Sequence, residues 1–224
     1  GTYYVWYKVV GDANHNDSTP ACKSVEIGKA APECSAPTAN TLTYTGDEKT
    51  LVTAGSTNHG TMNYALGEDG TNAPTTGWGA DLPKGTNAGS YYVWYKVVGD
   101  ANHNDSTPAC KSVEIGKATG SGSVRMDGWT YGDPAKNPAP SSDTNGITNV
   151  TYQYKVQGSD DNTYTDDKPT NAGSYTVKAA FAATRNYTAA TNTANFTIAN
   201  ATLTGTVTQN GDLTYTGQPQ TAQY

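Results

Sequence analysis

The chain has 224 residues and a net charge of −6, with 35% hydrophobic and 15% charged residues. The helix formers Leu, Glu, Lys and Arg are scarce, which excludes a helical bundle and an ordinary α/β enzyme, whereas Thr, Val and the 16 Tyr favour strands. The acidic balance argues against nucleic acid and anionic membranes as partners, and no apolar run approaches the roughly 18 residues of a membrane span.

A long duplication organises the chain. Residues 3–30 and residues 91–118 carry the same sequence, YYVWYKVVGDANHNDSTPACKSVEIGKA. A diverged third copy is marked by TNAGSY, which occurs at 86–91 and again at 170–175. Self-similarity with a period of about 85 residues is typical of a tandem array.

This period divides the chain into four segments. In order they are the back end of a repeat (1–30), a complete repeat with a Pro-rich linker (31–118), a complete diverged repeat (119–201) and the front of a further repeat (202–224). Because the chain starts and stops inside a repeat, we expect it to be part of a longer protein in which each unit contacts mainly its neighbours.

Strand signals follow one another along each repeat. In chain order, runs of strand formers predict strands at 41–45, 62–66, 91–98, 124–126 and 149–156. Side chains alternate between two faces along a strand. In the diverged copy of the 91–98 strand, one face stays apolar and the other carries Thr176 and Lys178. We therefore predict that the corresponding apolar face of the duplicated strand is interior, with Tyr91, Val93, Tyr95 and Val97.

The fold class predicted from these strands is all-β. A closing strand alternates around Val113 and Ile115, so that each unit has five to seven short strands and no helical period. This pattern fits tandem small antiparallel β-sandwich repeats of the immunoglobulin-like type. A β-grasp repeat with a short helix is the alternative, and no ten-residue stretch shows the i, i+3, i+4 apolar pattern that its helix would need.

The opposite face of the duplicated strand carries an aromatic pair. Tyr92 and Trp94 recur as Tyr4 and Trp6, whereas the diverged copy has Thr and Lys there. Exposed aromatic pairs bind ligands such as sugar rings, because they bury a large area at little entropic cost. The other interpretation, which is the simpler one, is that a neighbouring loop covers the pair, such as the loop that carries Trp78.

Together, these motifs resemble a known repeat family. The order LTYTG (42–46, again at 213–217), TNAGSYYVWYKVVGDANH (86–103) and VEIGKA (113–118) is similar to MBG-type and related bacterial immunoglobulin-like repeats. The resemblance implies tandem extracellular β-domains in large secreted or surface-anchored bacterial proteins. It implies no catalytic residue and no cofactor.

One loop of the duplication offers oxygen ligands for a cation. The segment GDANHNDS at 99–106 places Asp100, Asn102, Asn104 and Asp105 close together in sequence. Ca²⁺ takes such ligands, so these four residues are a candidate calcium site. The Gly and Glu that an EF-hand loop needs at fixed positions are missing, and a plain polar Asx turn is the simpler interpretation.

The sequence contains no recognisable catalytic motif. His15 and His103 occupy the same repeat position, and His59 stands alone in a polar loop. Because Tyr187 replaces the repeated His in the diverged copy, we interpret this position as a ring that packs at a loop end. Paired acids such as Asp160 and Asp161 lie in polar loops, so we predict that the chain is not an enzyme.

The cysteine count is odd. Cys22 and Cys110 occupy equivalent positions, and Cys34 lies in the linker. Two alternatives remain open at this point: a Cys22–Cys34 disulfide that leaves Cys110 unpaired, or no disulfide at all.

Three functional hypotheses follow from the sequence. The first is a non-enzymatic stalk or spacer of a bacterial cell-surface or secreted protein, with neighbouring repeats as partners. The second is an adhesin module that binds host glycan or protein through its outward aromatics, namely Tyr92, Trp94, Tyr4 and Trp6. The third is an extracellular filament in which partial end units of different chains complete each other by strand addition.

Overall fold

The chain folds into two compact units. The computed structural model describes residues 1–206 and 216–220. The units are Gly1–Thr119 with Thr184–Thr188, and Gly120–Ala183 with Ala189–Tyr224.

The fold is all-β, as the sequence predicts, with several sheets that are consistent with a β-sandwich. In the part of the chain that the structure describes, the helical content is one 3₁₀ turn at Asp161–Thr163. The β-grasp alternative needs a helix, and the described residues do not provide one. The predicted front of a further repeat at 202–224 falls largely outside the described residues.

The first unit is built from short strands around one longer hairpin. In chain order its strands are β1 (Thr2–Tyr7), β2 (Ala21–Glu26), β3 (Cys34–Ser35), β4 (Thr38–Ala39), β5 (Leu42–Thr43), β6 (Lys49–Thr50), β7 (Val52–Thr53), β8 (Ser56–Thr57), β9 (Thr61–Gly67), β10 (Lys84–Gly85), β11 (Gly89–Val98) and β12 (Ala109–Gly116). The central sheet has the order β5-β12-β11-β9, in which β5 runs parallel to β12 and the other pairs are antiparallel. The pairs β3–β8, β4–β7 and β6–β10 form two-stranded sheets beside it.

The second unit has a central sheet of the same design. Its strands are β13 (Ser123–Arg125), β14 (Trp129–Thr130), β15 (Ala139–Ser141), β16 (Val150–Val156), β17 (Gly173–Phe181) and β18 (Ala190–Ala199). The sheet order is β14-β18-β17-β16, again with the first pair parallel and the others antiparallel. The strands predicted at 41–45, 62–66, 91–98, 124–126 and 149–156 are confirmed as β5, β9, β11, β13 and β16.

The buried faces follow the predicted alternation. In the first unit Val93 and Val97 of β11 are fully buried, and Tyr91 and Tyr95 pack against the same core. In the second unit Val177, Ala179 and Phe181 of β17 occupy the equivalent interior face, with Tyr175 packed beside them. Burying one such aliphatic or aromatic side chain stabilises the fold by roughly 1.5–3 kcal/mol, so this face is the main source of stability in each unit.

The hairpin β1–β2 repeats the sequence and the register of β11–β12 but not its burial. Tyr3 pairs with Val25 as Tyr91 pairs with Val113. Val93 is 0% exposed, whereas its duplicate Val5 is 55% exposed. Identical strands therefore have different environments within one unit, because burial is set by the elements that cover them.

Candidate functional site

The aromatic pair of β11 is covered by a loop. Trp94 is only 6% exposed, and its indole Nε1 donates a hydrogen bond to the Asp69 carbonyl at 2.9 Å. A Cβ at Gly67 would lie 2.5 Å from the Trp94 ring, so the backbone rests directly on the indole. The proposal that Trp94 is an exposed ligand-binding residue is therefore wrong, since the loop after β9 occupies its face.

The covering loop is the one that the sequence suggested, because the chain between β9 (Thr61–Gly67) and β10 (Lys84–Gly85) carries both Asp69 and Trp78. Trp78 donates its Nε1 hydrogen bond to the Pro74 carbonyl at 2.8 Å, and its ring lies 4.8 Å from the Lys96 ammonium in a cation–π contact. Tyr92, the partner of Trp94, is half-buried.

In the duplicate hairpin the same two aromatics stand free. Tyr4 is 68% exposed and Trp6 is 67% exposed. The predicted site residues Tyr4 and Trp6 are thus exposed in a segment that contains no counterpart of β9 or of the loop that covers Trp94.

The loop over Trp94 is held by a carboxylate. Asp69 accepts hydrogen bonds from the backbone amides of Thr71 and Asn72, each at 2.7 Å, and from the Asn72 side-chain amide at 3.0 Å. The Asn72 side chain makes the largest contribution to holding the pKa of Asp69 below its ordinary value of 3.8, and the two backbone amides add to it.

This pKa shift predicts that acid loosens the loop. The folded state favours the charged carboxylate, so its stabilising effect is present above about pH 3.8 and is lost as the pH falls below that value. We expect the fluorescence of Trp94 to become more solvent-like as the pH falls below about 3.8, at constant temperature. An Asp69→Asn variant keeps one acceptor oxygen for the backbone amides of Thr71 and Asn72 without the titration and should lose this step. An identical acid response in wild type and variant would contradict the assignment.

The side chains of the predicted calcium loop bind the loop itself. Asp100 Oδ1 accepts hydrogen bonds from the Asn102 amide at 2.8 Å and from His103 Nδ1 at 2.7 Å. Asp105 Oδ1 accepts one from the Gly99 amide at 3.0 Å. The duplicate loop repeats the pattern, since Asp12 bonds the Asn14 amide and His15. This geometry is that of a turn capped by its own side chains. The calcium site of Asp100, Asn102, Asn104 and Asp105 stays a prediction.

The same loop binds the end of the preceding duplicate by its backbone. The Ala30 amide donates to the Asn102 carbonyl at 2.9 Å, and the Asn104 amide donates to the Ala30 carbonyl at 2.8 Å. The Lys29 ammonium donates to the Asp100 carbonyl at 3.1 Å. The GKA segment that ends the first copy is therefore clamped by the DANHN loop of the second.

This clamp recurs within the first unit. The Ala118 amide donates to the Asn186 carbonyl, and the Thr188 amide donates to the Ala118 carbonyl, both at 2.9 Å. The Lys117 ammonium donates to the Thr184 carbonyl at 2.7 Å, as Lys29 does in the earlier clamp. The Gly-Lys-Ala ending thus makes the same contact twice, on loops whose sequences differ.

The repeated histidine position is a packed ring in two of the three copies. In the diverged copy Tyr187 replaces His103 and packs edge-on against Tyr44, with centroids 5.4 Å apart. His103 stacks on His59, with ring centroids 3.9 Å apart and planes 15° apart, whereas the His15 side chain is 78% exposed. His59 therefore does not stand alone, and its Nδ1 lies 4.0 Å from Asp100 Oδ2. No pattern in the sequence indicates that His59 is the partner of His103.

One glycine allows the His59 loop to approach the end of β11. Gly60 has φ +107°, and a Cβ there would lie 2.1 Å from the Val98 carbonyl oxygen. Gly99 serves a close contact inside the His103 loop, because a Cβ there would lie 2.2 Å from the His103 carbonyl oxygen. A side chain at Gly60 would force the two segments apart, so the histidine pair depends on this glycine.

We expect Gly60→Ala to destabilise the first unit by roughly 1–3 kcal/mol, because the alanine adds a backbone collision to an unfavourable φ. The matched control is Gly77→Ala. Gly77 also has positive φ, +79°, but nothing lies within 4 Å of its added Cβ. This control should lose only about 1 kcal/mol. Urea unfolding followed by circular dichroism measures both, and equal losses would show that the loop contact adds nothing.

The cysteines are all free. Cys22 and Cys34 are exposed and Cys110 is half-buried. Of the two alternatives left open by the sequence, the structure therefore shows no Cys22–Cys34 bridge. Burial raises the pKa of the Cys110 thiol, with a smaller contribution from Asp69. The raised pKa favours the protonated thiol, which is less reactive than the thiolate.

The chain was compared with protein families, curated proteins and solved structures. No protein family and no curated protein matches the chain. Among solved structures, the crystal structure of Drosophila N-cadherin EC1-3 is similar over 89% of this chain and 78% of that chain, with 14% identity and a TM-score of 0.27. A TM-score this low does not equate the two folds. Within the described residues, no helix has the length and apolar character needed to cross a membrane.

Proposed function

We propose that the chain is a non-enzymatic spacer region of an extracellular bacterial protein, built from tandem β-domains. The observation that carries the proposal is the clamp between the Gly-Lys-Ala ending and the following loop, made at Ala30 and again at Ala118. A spacer needs each repeat to hold its neighbour in a fixed way, and a contact made by backbone atoms tolerates sequence change on one side.

The arrangement of the sheets supports the same proposal. The central sheets of both units share one strand order and one set of directions, and the hairpin of 3–30 repeats that of 91–118 letter for letter. Asp69 and Asp100 cap loops through backbone amides, and Asp161 pairs with Lys155 at 2.7 Å. Their role here is to hold turns between strands.

A surface-display experiment tests the spacer function. An epitope is anchored to a bacterial surface through none, one or two copies of residues 31–118, and antibody binding to intact cells is measured. We expect accessibility to rise with each copy, and to rise less when Ala118→Pro removes the amide that makes the clamp. Accessibility that does not depend on copy number would overturn the proposal.

A further inference from the structure

We propose that His59, Asp100 and His103 form a binding site for a borderline transition-metal ion, with Zn²⁺ as the best-suited candidate. One ligand atom of each residue lies within 4.8 Å of the others. Two imidazoles and one carboxylate are the donor set that Zn²⁺ binds with a water molecule completing a tetrahedron.

One histidine–carboxylate separation is shorter than that of a tetrahedral zinc site, and the other is longer. Zn–N and Zn–O bonds of about 2.0–2.1 Å place ligand atoms roughly 3.3 Å apart. In the structure His103 Nδ1 lies 2.7 Å from Asp100 Oδ1, and His59 Nδ1 lies 4.0 Å from Asp100 Oδ2. Opening the first pair and closing the second, each by less than about 1 Å, brings these two histidine–carboxylate pairs into range, and all three ligand atoms already lie within 4.8 Å of one another.

The ion would take the place of the proton between His103 and Asp100. That proton now lies in the 2.7 Å hydrogen bond, and neutral His103 can carry it on Nε2 instead, which leaves the Nδ1 lone pair for the metal. Binding therefore needs no other reactant. Because protonation of either imidazole removes its lone pair, affinity should fall as the pH is lowered.

The His59 ring has room to turn toward the ion. A metal lies in the plane of an imidazole that binds it, so the present stacking of His59 on His103 must give way. The His59 side chain is 44% exposed and can rotate, whereas His103 is 17% exposed and is fixed by Asp100. The site thus combines one preset ligand with one mobile ligand.

The backbone under the site is held in place. Gly60 lies against the Val98 carbonyl, which brings the His59 loop onto the end of β11, and Gly99 lies against His103 and Asn104, which keeps the His103 loop tight. Ala30 is hydrogen-bonded to Asn102 and Asn104 on either side of His103. An ion bound at the site would therefore link the β8–β9 loop to the loop that clamps Ala30, and would stiffen that contact.

The duplication supplies a matched control inside the same chain. His15 and Asp12 repeat the His103–Asp100 pair at 2.8 Å, with the same surrounding sequence. The described side chains give that pair no third ligand within reach. If a histidine–aspartate pair were enough, both loops would bind the metal, whereas the proposal requires His59.

The experiment is a calorimetric titration of the full chain with ZnCl₂ near neutral pH, in a background with Cys22→Ser, Cys34→Ser and Cys110→Ser so that thiolates do not compete. We expect saturation at one Zn²⁺ per chain, and a fall in affinity of about tenfold or more in His59→Asn. The variant His15→Asn should bind as the background protein does. Circular dichroism confirms that each variant is folded, and the imidazole ¹⁵N shifts of His59 and His103 report the binding atoms.

Several outcomes would overturn the proposal. These are the absence of saturable Zn²⁺ binding, equal affinity in His59→Asn and the background protein, and an equal loss in His15→Asn and His59→Asn. Binding of Ca²⁺ at the loop with no binding of Zn²⁺ would also overturn it and would support the oxygen-ligand site instead. A chelator-reversible rise in the unfolding temperature with Zn²⁺ would support it, because a ligand that binds the folded state stabilises that state.

Discussion

Trp94→Ala is expected to lower the free energy of unfolding of the first unit by about 3–5 kcal/mol. The indole is buried beneath the loop that follows β9 and donates a hydrogen bond to Asp69, so its removal leaves a cavity and an unpaired carbonyl. Hydrogen exchange of peptides from β9 and β11 measures the loss within this unit, separately from the second unit.

The duplicate residue provides the control for this prediction. Trp6→Ala changes the same residue in the same local sequence, but the ring is largely exposed, so little stability should be lost. Similar losses in the two variants would show that the loop over Trp94 does not cover it in solution. A small loss of unfolding free energy in both variants would make Trp94 a candidate binding residue again.

Phe181→Ala is expected to destabilise the second unit by about 3–5 kcal/mol. Phe181 is 1% exposed and ends β17, where it pairs in register with Val150 and Ala190. A Cβ at Gly122 would lie 2.5 Å from the Phe181 ring, so the ring packs directly against the backbone that precedes β13. The cavity left by alanine would have no nearby side chain to fill it.

Exchange of the β17 amides measures this effect. The matched control is Ile147→Ala, because Ile147 lies in the same unit, is also a large apolar residue and is exposed. Its removal should change protection of β17 by little. If both variants lose similar protection, Phe181 is not part of a specific core, and the alternation argument fails for this unit.

The interior face of the central strands could be predicted from sequence because it depends on local alternation, whereas the parallel pairing of β5 with β12 and of β14 with β18 was not predicted. Val93, Val97, Val177 and Phe181 lie on the face that is apolar in every copy, and this face is interior in β11 and β17 but exposed in β1. The comparison of the duplicated strand with its diverged copy was enough to identify that face, since Lys178 marks the other one. Period-two patterning requires no knowledge of distant residues.

The outward face could not be predicted in the same way. Trp94 and Trp6 have identical neighbours in sequence, yet one is covered and the other is open. The difference is made by the loop after β9, which carries Asp69 and Trp78 and which has no counterpart within residues 1–30. Burial on this face is decided by which element folds over it, and that is a property of the tertiary structure.

The candidate metal site shows the same division. Sequence placed Asp100 and His103 three residues apart in one turn, and their hydrogen bond is a local feature that His15 and Asp12 repeat. His59 arrives from a different loop, because Gly60 lets its backbone approach Val98 where any side chain would collide. Local alternation and turn chemistry were determined by the sequence by itself, whereas the third ligand, the cover over Trp94 and the clamp at Ala30 exist only because distant segments pack together.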